Sequence, residues 1–168
     1  GNLPLGTVGE GVGMVEQHLA AAEDAGVELR CQSPAVALLR DGRAVVGVVV
    51  DGPDGPAEIR AGAVVLASGG FEADPRLRAM YLGPSWDVAR VRGTPYNTGD
   101  GLTMALEAGA QPYGHWSGCH AIAWDAGAPP TGDRALLHRL SKQSYPIGIV
   151  VNRDGQRFVD EGADFRNY

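Results

Sequence analysis

Residues 64–71 read VVLASGGF; with Ala63 before them they open on four apolar residues and close on a glycine pair and an aromatic ring. A short, wholly apolar run predicts a parallel strand covered on both faces, here Ala63 to Leu66. Gly69 and Gly70 let the backbone turn sharply at the strand's carboxyl end, where open α/β sheets place their ligands. By spacing alone the same pair is equally an ordinary tight turn with no ligand.

Downstream, DPRLRAMYL (74–82) predicts a short helix capped by Asp74, with Pro75 at its first position. NTGDGLTMALEAGA (97–110) is a loop and then a helix with Leu102, Ala105, Leu106 and Gly109 on one face. The loop's glycines expose backbone N–H groups at a helix start, which favours an anion or a polar ring edge. Asp100 could equally serve only as an N-cap.

Upstream, the spacing of Met14, Val15, His18, Leu19 and Ala22 predicts a helix from about Gly11 to Ala25, with Gly26 as its left-handed end. VELRC (27–31) follows as a short strand. Residues 35–60 hold three short apolar or alternating runs separated by Asp-Gly and Gly-Pro turns, which predicts a three-stranded antiparallel meander. The early glycines GTVGEGVG (6–13) suggest a dinucleotide fingerprint, but such a loop follows a strand, and GNLPL is short and carries a proline. A flexible helix entry accounts for them.

Past Tyr113 the texture becomes irregular and turn-rich, with a shift near residues 117–122. PIGIVVNRDGQRFVDE (146–161) then predicts strand, turn at Asp154-Gly155, and strand.

The composition of the 168 residues, 44% hydrophobic and 20% charged, is that of a globular chain. A net charge of −6 argues against a nucleic-acid binder, whose counterion release needs a basic face. It leaves room for an anionic ligand, because a few arginines in a pocket reverse the local field. Cys31 and Cys119 lie far apart and form no CxxC pair, which points to reduced thiols in a cytoplasmic protein and to no metal site. No apolar run approaches the ~20 residues of a membrane span. His120, in SGCHAIAW, reads by itself as a structural histidine, and His18 and His138 as helix-face residues. Arg157 and Arg166 are natural carboxylate partners; equally, Arg157, Asp160 and Glu161 form ion pairs on an exposed hairpin.

Taken in order, VVLASGGF, NTGDGLTMALEAGA, CHA and VNRDGQRFVDE resemble the fumarate reductase/succinate dehydrogenase flavoprotein family. GHWSGCHAIAWD and RFVDEGADFRNY are similar to its tricarballylate dehydrogenase branch. The resemblance covers roughly Gly6 to Tyr168. It implies FAD in a doubly wound domain, and a mobile capping domain that closes over the flavin and a di- or tricarboxylate substrate. The fold class is then α/β: a partial doubly wound FAD-binding domain with the meander over 1–118, and the beginning of an α+β capping domain over 119–168.

Carried onto this sequence, Ala67, Ser68, Gly69 and Gly70 match the cofactor-contacting strand end. Val36 matches the segment whose backbone meets the adenine, and Thr98, Gly99 and Asp100 match a loop beside cofactor and active site. His120 matches a histidine that helps hold a substrate carboxylate, and Arg166 matches the family's catalytic arginine, which moves the proton. The fumarate reductase branch has one residue fewer between glutamate and arginine, and its acid–arginine relay has no counterpart in HRLSKQSYPIG. That difference favours the carboxylate-dehydrogenating branch.

The expected reaction removes two hydrogens across a C–C bond, with the flavin taking the hydride and an arginine the proton. Arginine is a base only in a dry, strongly biased site, since its pKa exceeds ~12. The family's N-terminal GxGxxG unit and its returning C-terminal segment have no match here. The resemblance therefore implies an interior part of such an enzyme that by itself binds FAD weakly or not at all and turns nothing over. Two alternatives stand: a ketosteroid-dehydrogenase-like flavoenzyme, and a non-catalytic binding domain.

Overall fold

The computed structural model describes residues 8–136, 139–141 and 145–163. Helix α1 spans Glu10–Asp24 and enters from Gly9, at φ 76°. Its end follows from chain chemistry: Gly26 (φ +72°) donates to Glu23 O and Val27 donates to Ala22 O, the paired bonds of a glycine-terminated helix.

The meander is present as β1 (Ala35–Asp41), β2 (Ala44–Gly52) and β3 (Gly55–Arg60), antiparallel in the order β1-β2-β3. Both turns are two-residue loops, closed by the pairs Asp41↔Ala44 and Gly52↔Gly55. The β1–β2 ladder shifts register twice. Ala35 pairs with Val50 and Ala37 with Val49, so Val36 is a bulged extra residue. Gly47, at φ +154°, sits where a Cβ would lie 2.1 Å from the Ile59 carbonyl oxygen, so no side chain fits there.

Helix α2 (Pro75–Leu82) starts as the sequence predicts: the Asp74 carboxylate accepts from the backbone N–H groups of Arg76 and Leu77. Helix α3 (Asp100–Glu107) packs on β1, and Arg40 Nη1 donates to Glu107 O at 3.3 Å. Its buried residues are Gly101 and Met104, about a third of a turn from the face the apolar spacing singles out. The irregular stretch after α3 folds back onto residues 91–93, through the isolated bridge Val91↔Thr131, Val91 N–H to Pro130 O and Gly132 N–H to Gly93 O.

Four expected strands form no ladder. Residues 27–31 and 63–66 carry no strand pairing, and the hairpin around Asp154-Gly155 is reduced to one bridge, Val151↔Arg157. The turn itself is present, with Gly155 at φ +74°. A strand exists only through its neighbours, and the described residues supply none beside these segments. Val65 is accordingly 88% exposed. Glycines aside, the buried positions among the described residues are few: Val50, Met104 and Ala128, with the polar Asp74, Arg78 and Glu161. No helix among the described residues is long and apolar enough to cross a membrane.

Candidate functional site

The two glycine motifs, thirty residues apart, interlock. Gly99 N–H donates to Gly70 O at 3.0 Å, and Ala73 N–H donates to Asn97 O at 2.9 Å. Gly69 turns at φ +83°, where a Cβ would meet Asn97 Oδ1 at 2.8 Å. Gly101 faces Ser68 so closely that a Cβ would lie 2.1 Å from its Oγ. Asn97 Nδ2 in turn donates to Glu72 Oε1 at 2.5 Å. The glycines are therefore required first by the close approach of neighbouring side chains and, at Gly69 and Gly99, by positive φ. The outcome is a lip, Ala67 to Gly70, carried on the amino end of α3.

The N-cap of α3 is Gly99, at φ +81°, and not Asp100. Asp100 is the first helical residue, and its carboxylate accepts from Thr98 Oγ1 at 2.6 Å. With no side chain capping α3, its first-turn N–H groups are left to the surroundings.

Val36, exposed at its bulge, lines a cleft of about 590 Å³ together with Thr98, Asp100, Thr103 and Met104. Asp74 and Arg76 lie on the same wall. The Asp74 carboxyl is held below the usual carboxylate range, mainly by the Arg76 guanidinium and also by the two helix-start amides. Val36, Thr98 and Asp100 thus line one cavity.

His120 is exposed and stands where two further clefts meet. One, of about 540 Å³, carries Gly70 and an aromatic cluster: Phe71, Tyr81 and Trp116 have ring centroids 4.9 to 6.2 Å apart, and Phe71 and Trp116 are on its wall. The other, of about 530 Å³, carries Arg90, Arg92 and Trp124. Glu72, Leu82, Cys119 and His120 are common to both. The structure therefore brings His120 and Gly70 to one cavity. Arg166 and His138 lie outside the described residues.

Several contributors are invisible in the sequence. Arg78, 7% exposed, donates to the carbonyls of Glu72, Trp86, Asp87 and Ala89 and so ties together the loop below His120. Glu161, 3% exposed, accepts from Val150 N–H and from Arg157. Those contacts, the Val150 amide first, hold its pKa at about 2. The ion pair of Arg157 and Glu161 is the one an exposed hairpin would carry, but with the acid buried.

A family model described as FAD binding domain matches residues 2–167. The chain is 33% identical to 4-oxocyclohexanecarboxylate 2-dehydrogenase of Sinomonas cyclohexanicum, over 96% of this chain and 29% of that protein. It is 31% identical to 3-oxosteroid 1-dehydrogenase of Mycolicibacterium smegmatis, over 94% of this chain and 28% of that protein. Among solved structures, the open conformation of a flavocytochrome c3 fumarate reductase superposes with a TM-score of 0.73 at 30% identity, covering 98% of this chain and 28% of the other. The chain thus spans under a third of the length of the relatives it matches.

Proposed function

The chain belongs to the FAD binding domain family, and from that premise we propose that it forms part of an oxidoreductase that dehydrogenates, or in reverse reduces, a C–C bond of a di- or tricarboxylate such as tricarballylate. The cofactor is FAD. The residues fit it: an exposed backbone lip without bulky side chains at Ala67–Gly70, an uncapped helix start at Thr98–Asp100, and an exposed bulge at Val36. When bound, the flavin supplies hydride acceptance; positioning and proton movement fall to the protein.

The single observation that supports the reading most is the interlock of Ser68–Gly70 with Asn97–Gly101, because it opens onto the cavity that reaches His120. His120 then steadies a substrate carboxylate, and Arg166 carries the proton at the other carbon. The segment after residue 118 acts as the beginning of the cap. Free, exposed Cys31 and Cys119 support a reducing, cytoplasmic setting.

The test is anaerobic mixing of the FAD-loaded protein, expressed from its complete natural reading frame, with tricarballylate, succinate or a ketosteroid. Bleaching of the oxidised-flavin band by a polycarboxylate is expected. Arg166→Ala should keep the flavin and lose about 10²–10⁴-fold in turnover; near-normal turnover removes Arg166 from the role. A ketosteroid is the second reading, favoured by the Phe71–Tyr81–Trp116 cluster beside the lip. Bleaching by the steroid alone would establish it instead.

A further inference from the structure

The cleft on the far side of His120 has more cation and donor than its own walls satisfy. Arg90 donates through Nη1 to the Ala128 carbonyl, and Arg92 Nη1 reaches Ser141 Oγ at 3.4 Å, a long contact with a neutral group. Neither guanidinium is paired with a carboxylate among the described residues. Arg30, Arg76 and Arg157 show the other arrangement, each held by an acid: Glu28, Asp74 and Glu161. Arg78, also on this wall, spends its donors on four backbone carbonyls.

Trp124 adds a second and independent sign. Its indole Nε1–H is buried and has no acceptor among the described residues. A buried donor left unmade costs free energy, so such a group marks a place where an acceptor is wanted. Two acids share the cleft wall, and both oxygens named in contacts are engaged: Glu72 Oε1 by Asn97 and Asp125 Oδ1 by Gly127 N–H.

We infer that the Arg90–Arg92–Trp124 cleft is an anion subsite that takes a carboxylate of the substrate, remote from the carboxylate beside His120, with Arg92 as its principal cation. The inference rests on the polycarboxylate reading above and deepens it: the substrate carries two carboxylates far enough apart to reach both sides of His120. A planar guanidinium suits a carboxylate through paired N–H donors, which an ammonium in the same place does not reproduce.

The experiment is calorimetric titration of the FAD-loaded full natural polypeptide with tricarballylate, succinate, acetate and inorganic pyrophosphate. Tricarballylate should bind and acetate should bind far more weakly. Arg92→Gln should weaken tricarballylate by about tenfold or more while leaving acetate little changed, since a charge-assisted contact is lost from one end only. Arg92→Lys should recover only part of the loss, and Arg90→Gln should show a smaller one. Flavin absorbance and melting temperature report folding in every variant. Unchanged tricarballylate affinity in a folded, flavin-loaded Arg92→Gln overturns the inference, as does a preference for pyrophosphate over tricarballylate, which would make the subsite one for cofactor phosphates. Failure to retain flavin at all counts against the functional reading itself, so the two failures are separable.

Discussion

Arg76 and Arg78 stand two residues apart in α2, yet one lies exposed against Asp74 while the other is buried against four carbonyls. Nothing in PRLRAMYL separates them; the helix turn does, by pointing one toward solvent and the other toward the loop at 86–89. Glu161 is similar, an acid in an acidic run that turns out to be 3% exposed. Its lowered pKa, about 2, gives a signed pH dependence. The stabilisation is complete above the ordinary glutamate range and drains away as pH falls from about 4.5 toward 2. The protection factor of the Val150 amide, which donates to this carboxylate, should therefore drop across that window, and in Glu161→Gln it should be flat there. An equal fall in the variant would mean that another group titrates.

Among the elements, those legible in advance are the ones made locally. The meander follows from turn chemistry at Asp41-Gly42 and around Pro53, and α1 and α2 from their spacing and caps. The glycine motifs were legible as sharp turns, with Gly69 and Gly99 at positive φ, but their mutual contact was not, because a separation of thirty residues leaves no periodic signal. That contact gives a sharp test. Gly101→Ala places a Cβ against Ser68 Oγ, and should lower the melting temperature by an amount equivalent to about 1–3 kcal/mol. Ser68→Gly added to it should restore much of the loss, since it removes the obstructing atoms. If the double variant is no better than Gly101→Ala, the two motifs do not touch as described.

On the scale of the whole molecule, the expected parallel strand at 63–66 is the clearest departure. Its apolar run is real, but Val65 is 88% exposed and no strand among the described residues pairs beside it. Val65→Lys in the chain of 168 residues should change stability by no more than about 0.5 kcal/mol in thermal melts, as surface substitutions do. A loss of several kcal/mol would show the segment covered. The exposed Val12, Val15 and Leu19 of α1 belong to the same pattern of apolar residues without a covering layer.

The sequence by itself determined the meander, the caps of α1 and α2, the order of the glycine motifs and, through them, the flavoprotein family. Each of these depends on residues within a few positions of one another or on a motif read in line. Only the tertiary structure decided that Val36 is a bulged residue lining one cavity with Thr98 and Asp100, that Arg78 is buried, and that His120 stands between an aromatic cleft and a cationic one. Those facts depend on which distant backbones come within hydrogen-bonding reach, and that is settled by packing and the closure of loops, for which a linear pattern carries no period.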